Sequence, residues 1–184
     1  MFRPIIPAII CIIAFAVWNM RSVPRSVPQF AGRLLFTGAC FFLFNAFFLP
    51  LPVDARGFEA VSDPLLPMEE AIMILPFQSL VLNKYHLDYY FYQLLPMFAA
   101  AALMGFSINT AFSHPLTLKR NLMLSFLLPL IVFLFYAAIK LATGRCLKAA
   151  DTTNIIWFMA AYFAGYSIFC LLSRITSAAA GRKL

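Results

Sequence analysis

The chain has 184 residues, 63% of them hydrophobic and only 11% charged, whereas a soluble domain carries about a quarter of its residues as charges. A surplus of apolar residues on this scale cannot be buried in a small water-facing globule, which excludes an ordinary soluble domain and makes lipid part of the solvent. The net charge of +7 lies at the ends of apolar runs, with no Lys/Arg tract interleaved with aromatics, so it reads as membrane orientation and anionic headgroup contact and excludes a nucleic-acid partner.

Taken in chain order, the first apolar run is Ile5 to Met20, bounded by Arg3 and by Arg21 and Arg25. It is short for a span, but Trp18-Asn19-Met20-Arg21 reads as an interface and a stop. No small-x-small cleavage pattern follows, so a retained helix is expected rather than a signal peptide. A basic, Pro-containing connection from Arg21 to Arg33 leads to a second span over Leu34–Leu51. Asn45 sits mid-span, where it could hydrogen-bond to a neighbouring helix. The one long connection, Pro52 to Asp88, carries six of the chain's seven acids. Inside it, Ala71–Leu82 is apolar but broken by Pro76, too short to cross, and is expected to be interfacial or re-entrant. A third span, over Tyr89–Phe112, opens on the aromatic cluster Tyr85, Tyr89, Tyr90, Phe91 and Tyr92, as expected at a headgroup boundary. Lys119 and Arg120 mark a tight turn. A fourth span covers Leu122–Ala142, a polar link runs from Thr143 to Thr153, and a fifth span covers Asn154–Ser173. The expected fold is therefore all-α: a single-domain polytopic transmembrane bundle of about five spans plus the short interfacial segment.

Five spans place alternate connections on opposite sides. Arg21, Arg25, Arg33, Lys119, Arg120, Arg174, Arg182 and Lys183 then share one side with no acid, while all seven acids share the other. The positive-inside rule makes the first side cytoplasmic, with the N-terminus outside.

Polar residues that merit a chemical reading collect at the outer end of the fourth and fifth helices: Lys140, Arg145, Lys148, Asp151 and Asn154. One reading is a membrane-surface site, in which cations receive a phosphate or carboxylate and an acid orients one of them. The other is a solvated turn in which Asp151 or Thr152 caps the last helix. Lys140, one turn inside the boundary, either snorkels outward or meets a buried acceptor, with Gln93 a partner at similar depth. Glu69-Glu70 reads as a helix start favoured by the macrodipole rather than a catalytic pair. His86 and His114 fall on opposite faces and cannot share a metal. Cys11, Cys40 and Cys170 lie inside apolar runs. Cys146 has basic neighbours but no nearby His, a weak basis for a thiol nucleophile. No metal or cofactor is expected. The Arg and His motifs of CAAX-type proteases and the signatures of lipid-phosphate phosphatases are absent.

Thr143-Gly144-Arg145, then Asp151 and Asn154, then Ala161-Tyr162-Phe163-Ala164-Gly165-Tyr166, resembles the end of the VanZ-like family of membrane proteins, named for a teicoplanin-resistance protein. Loosely, the likeness spans residues 90 to 170, with Gln93-Leu94-Leu95-Pro96-Met97-Phe98 similar to that family's Asn-x-x-x-Phe-x-Pro-x-Gly helix. Where the family has a Glu-x-x-Gln pair, this chain has Tyr136 and Lys140. The resemblance implies a cell-envelope role and marks Arg145, Asp151 and Asn154 as ligand-binding candidates.

Three functions follow as expectations: an envelope protein resembling VanZ that binds an anionic or lipid-linked precursor at its outer face; a non-catalytic subunit or scaffold held by other membrane proteins; and a membrane enzyme acting on a lipid-linked or peptide substrate. Catalysis is the weaker expectation, and transport ranks last, because the spans hold few polar groups to line an aqueous path.

Overall fold

The computed structural model describes residues 5–48, 58–60, 62–82, 87–112 and 114–181. Within these, five helices dominate: α1 (Ile5–Arg21), α2 (Val27–Phe48), α5 (Leu87–Ala111), α6 (Leu118–Thr143) and α7 (Thr152–Gly181), with the short α3 (Met68–Ala71) and α4 (Gln78–Leu82) in the long connection. Two strands of two residues each, β1 (Ile72–Met73) and β2 (Ala150–Asp151), pair in parallel. The molecule is an all-α membrane-embedded bundle. Val27–Asn45, Leu94–Ala111, Leu118–Thr143 and Thr152–Ser177 are each long and apolar enough to cross a membrane; α1 carries the shorter apolar stretch Pro7–Arg21. At 17 residues, α1 stands at the lower limit for a span. It packs on α2 through Phe15 against Phe30 and Trp18 against Phe36, ring centroids 5.6 and 5.8 Å apart.

The hydrophobic run alone misplaces the start of α2. The helix begins at Val27, seven residues before Leu34, because the chain caps it there. Ser26 Oγ accepts from the Gln29 N–H at 3.3 Å and Gln29 Oε1 accepts from the Arg25 N–H at 2.7 Å, a side-chain exchange that satisfies amides a helix start leaves unpaired. Pro28, in the first turn, costs no intrahelical bond. Arg33 therefore lies inside a helix rather than in a connection. In the same way α6 starts at Leu118, because Thr117 Oγ1 accepts from the Arg120 N–H. It ends at Gly144, whose φ of 69° is the left-handed conformation that suits glycine at a helix C-terminus. The 30 residues of α7 span roughly 45 Å, past the expected end at Ser173.

The bundle is organised around α5. Over Leu94–Ala111, 56% of the residues are buried, against 17% in the α6 span and 28% in those of α2 and α7. The core joins Ala39, Leu43 and Phe47 of α2 to Met97, Ala101, Met104 and Ile108 of α5 and Phe158, Ala161 and Tyr162 of α7. Gly105 lets α5 and α7 approach backbone to backbone: a Cβ there would stand 2.0 Å from the Tyr162 carbonyl oxygen, and one at Gly165 would stand 1.9 Å from that of Ala102.

Three buried polar knots hold the helices. In the first, the Arg33 guanidinium, only 2% exposed, donates to Ala111 O (3.2 Å), Asn19 Oδ1 (3.1 Å), Ser22 Oγ (3.0 Å) and Ser22 O, and lies 5.0 Å from the Trp18 ring centroid. It fastens α1 and the α1–α2 turn to the end of α5. The second links α5, α6 and α7 through Asn109, Asn121 and Tyr162. The Tyr162 hydroxyl donates to Asn121 Oδ1 at 2.7 Å, and Asn109 Nδ2 donates to the same oxygen at 3.0 Å. In the third, the Tyr136 hydroxyl of α6 donates to Phe47 O at the end of α2, where helical carbonyls run out of partners. Among the described residues Asn45 joins no such knot: its Nδ2 donates to Phe41 O of its own helix at 2.6 Å. That bond to the carbonyl four residues back stands where the sequence allowed an interhelical bond.

Candidate functional site

The long connection and the α6–α7 link meet at one end of the bundle. Asp63 and Cys146 form an antiparallel bridge, with Asp63 N to Cys146 O at 2.8 Å and Cys146 N to Asp63 O at 2.9 Å. Ile72 pairs with Ala150 and Met73 with Asp151 in the β1–β2 ladder. The Thr152 hydroxyl donates to Ile74 O at 2.9 Å and to Met73 O at 3.2 Å. Thr153 Oγ1 accepts from the Phe77 N–H at 2.9 Å and lies 3.3 Å from Ser79 Oγ. Phe77 is held at φ 65°, sparsely populated for a residue with a Cβ, and its tether to Thr153 stabilises that turn. The Ala71–Leu82 stretch, expected to be interfacial or re-entrant, runs from the last residue of α3 through β1 to the short helix α4 and forms a strap over the head of α7.

Lys140 is 5% exposed. Its ammonium donates to Leu66 O at 2.7 Å and to Gly144 O at 2.8 Å. The lysine does not snorkel outward: it bonds to the carbonyl of its own helix end and to that of Leu66, just ahead of the strap. The side chain of Gln93, its expected partner, lies outside the described residues, as does His86. Lys140→Met keeps the length of the side chain and removes three donors, leaving two carbonyls without their partner. The expected cost is about 2 kcal/mol, and the strap should become cleavable between α3 and α4 in a limited proteolysis time course. Unchanged cleavage would show that the strand pairing alone holds it.

Asp151, 6% exposed, accepts from the Thr153 N–H at 2.8 Å through Oδ1. It is the cap of α7, the second of the two roles that its position allowed. Arg145 is half-buried. Its backbone N–H is held by Thr143 Oγ1 at 3.2 Å, and one guanidinium nitrogen reaches Ser62 Oγ at 3.4 Å. Lys148 is on the exposed surface of the same link. Cys146 is 5% exposed. Burial pushes its thiol above its ordinary value, against the opposing pull of Lys140, so little thiolate exists at neutral pH. Asn154 Oδ1 and, one turn further, Trp157 Nε1 are buried without a hydrogen-bonding partner among the described residues.

The structure therefore brings Lys140, Arg145, Asp151 and Asn154 to one end of the bundle, with Lys140 and Asp151 committed to holding the backbone. Sequence reasoning did not assign Thr152 and Thr153 their role of binding the strap, nor Ser62 its role as acceptor for Arg145. A Thr-Thr pair directly after a capping Asp is the signal that was there to be read. Among the described residues, no group of three or more His, Cys, Asp or Glu is placed to hold a metal. No family model, curated protein or solved structure matches the chain.

Proposed function

We propose that this chain is a small multi-pass protein of the plasma (inner) membrane and cell envelope, N-terminus outside and C-terminus cytoplasmic, whose working surface is the strapped outer end. There Arg145 receives the anionic group of a lipid-linked envelope precursor. The observation that carries the reading is the contrast between the two cations. Among the described residues, two of the three Lys140 donors are taken by backbone carbonyls, while Arg145 places one of its five N–H donors, on Ser62 Oγ. A guanidinium with its fork largely open, fixed by its own backbone on a rigid turn, suits bidentate phosphate recognition. The likeness of residues 143 to 166 to the VanZ-like family supports the envelope assignment. Asp151 and Asn154 shape the site rather than contact the anion: one caps α7 and the other lies beneath the strap.

The test uses the full chain in lipid nanodiscs, titrated with a polyprenyl monophosphate. Losing a charge-assisted pair costs about 1.5–3 kcal/mol, so Arg145→Ala is expected to weaken binding at least about tenfold with its thermal midpoint unchanged. Equal affinity in the variant removes the reading. A C-terminal fluorescent fusion should be bright and a C-terminal alkaline phosphatase fusion inactive; the reverse pattern inverts the orientation.

The scaffold reading is favoured by α6, which is the most apolar span, with mean hydropathy 2.6, and the least covered. Its bare face, with Leu127, Ile131 and Leu134 each more than 40% exposed, suits a partner helix as well as lipid. A stoichiometric partner chain retained through mild-detergent purification and lost when Ile131 and Leu134 are both changed to Trp would favour it.

A further inference from the structure

Asn154 and Trp157 stand three residues apart on α7 and so share a face of the helix. Asn154 Oδ1 is an acceptor and Trp157 Nε1 a donor, and both atoms are buried with no partner among the described residues. A buried indole N–H ordinarily finds an acceptor, so two complementary unpaired atoms one turn apart form an unusual juxtaposition. Around the indole stand three phenyl rings, all roughly edge-on: Phe98 at 5.6 Å, Phe77 at 6.2 Å and Phe91 at 6.3 Å between centroids. Phe77 is the residue held at φ 65° by its N–H on Thr153, so strain and tether together set one wall of the cage. We infer that Asn154 and Trp157 form a binding site for the uncharged head of a membrane amphiphile, one hydroxyl or carboxamide that accepts from Trp157 Nε1 and donates to Asn154 Oδ1.

The chemistry of the surroundings selects the class. Every side chain named at the cage is uncharged, and an ion brought against three phenyl rings would lose its hydration without a countercharge. A hydroxyl or amide matches both atoms at once. The route of entry is apolar. Ile74, Leu75 and Val81 of the strap, close to Phe77 in the chain, are 70, 70 and 68% exposed, so the strap beside the cage presents apolar surface to an acyl chain. The site shares an end of the bundle with Arg145 but none of its charge chemistry, and it stands without the precursor reading.

Trp18 and Trp157 are the chain's two tryptophans, so Trp18→Phe leaves Trp157 as sole reporter. The same signal is available as the difference between the native chain and Trp157→Phe should Trp18→Phe not accumulate. The probe is diacylglycerol with brominated acyl chains in phosphatidylcholine vesicles. Its control is the methyl ether, which accepts a hydrogen bond but cannot donate one. The expected result is saturable quenching of Trp157 by diacylglycerol, weakened at least about fivefold for the ether and in Asn154→Leu, and retained in Arg145→Ala. Equal quenching by the ether, full quenching in Asn154→Leu, or no saturable response, as with a bound water only, overturns the inference. A Trp157 response to free N-acetylglucosamine but not to diacylglycerol overturns the amphiphile assignment. The ether comparison needs no change in the chain, so it decides even if Asn154→Leu fails to fold.

Discussion

Gly105→Ala and Gly165→Ala are each expected to lower the unfolding free energy by about 3 kcal/mol, read as a clear fall in the thermal or detergent-denaturation midpoint. The argument is steric. The added methyl at either position would lie about 2 Å from a carbonyl oxygen of the facing helix, and the next atoms it meets are also backbone. A flexible side chain could swing away; a helix backbone cannot, so the two axes must separate. Separation here is costly, because Met104, Ile108, Phe158 and Tyr162, all in the core, pack through the same crossing. In lipid, close packing and interhelical hydrogen bonds replace the hydrophobic drive as the main source of helix association, and small residues at the seam are what permit it. Gly38 supplies the internal control: a Cβ there meets nothing within 4 Å, and alanine is the better helix former, so Gly38→Ala should be neutral or stabilising by about 0.5–1 kcal/mol. Because both seam variants push the same two helices apart, the double variant should lose less than the sum of the singles. If Gly105→Ala and Gly38→Ala melted alike, the seam would not be the contact that holds the bundle.

What the sequence made legible was set by which forces leave a one-dimensional trace. Length of apolar run does, so α5 and α6 fall within four residues of the expected Tyr89–Phe112 and Leu122–Ala142, and the interruption at Pro76 marked a stretch too short to cross. Capping leaves a fainter trace. Ser26-x-x-Gln29 starts α2 and moves Arg33 from a connection into the interior, which a hydropathy reading cannot see because Arg33 itself lowers the local average. The strap over α7 leaves almost none. Its ladder of two-residue strands is made by backbone atoms, and nothing in Ile72-Met73 or Ala150-Asp151 announces that they pair. Among the candidate residues, proximity was legible and role was not. Lys140 and Asp151 sit where expected, but their partners are carbonyls of Leu66 and Gly144 and the Thr153 amide, groups that every residue possesses and no motif encodes. The unpaired atoms of Asn154 and Trp157 are the extreme case: a missing contact has no sequence signature.

Asn121→Leu, which keeps the volume and deletes the amide, is expected to cost about 2–3 kcal/mol. Asn121 is fully buried. Its Nδ2 donates to Leu116 O at 3.1 Å and Thr117 O at 3.2 Å, and its Oδ1 receives both the Tyr162 hydroxyl and Asn109 Nδ2. Single interhelical hydrogen bonds in membrane proteins average only about 0.6 kcal/mol, so the pairs themselves do not account for that cost. The larger part is the penalty on what is left behind, above all a Tyr162 hydroxyl at 0% exposure with its acceptor gone. Asn109 suffers less, because its Nδ2 keeps Gly105 O at 2.9 Å and its Oδ1 keeps the Leu116 N–H at 3.0 Å. This asymmetry makes a sharp prediction: removing the stranded hydroxyl as well should help. Asn121→Leu with Tyr162→Phe is expected to be about 1 kcal/mol more stable than Asn121→Leu alone, although Tyr162→Phe by itself destabilises. Such a reversal of sign is the signature of a network in which a half-satisfied member is worse than an apolar replacement. Simple additivity of the two changes would instead mean that α6 is held to α7 by packing, with the amide merely accommodated.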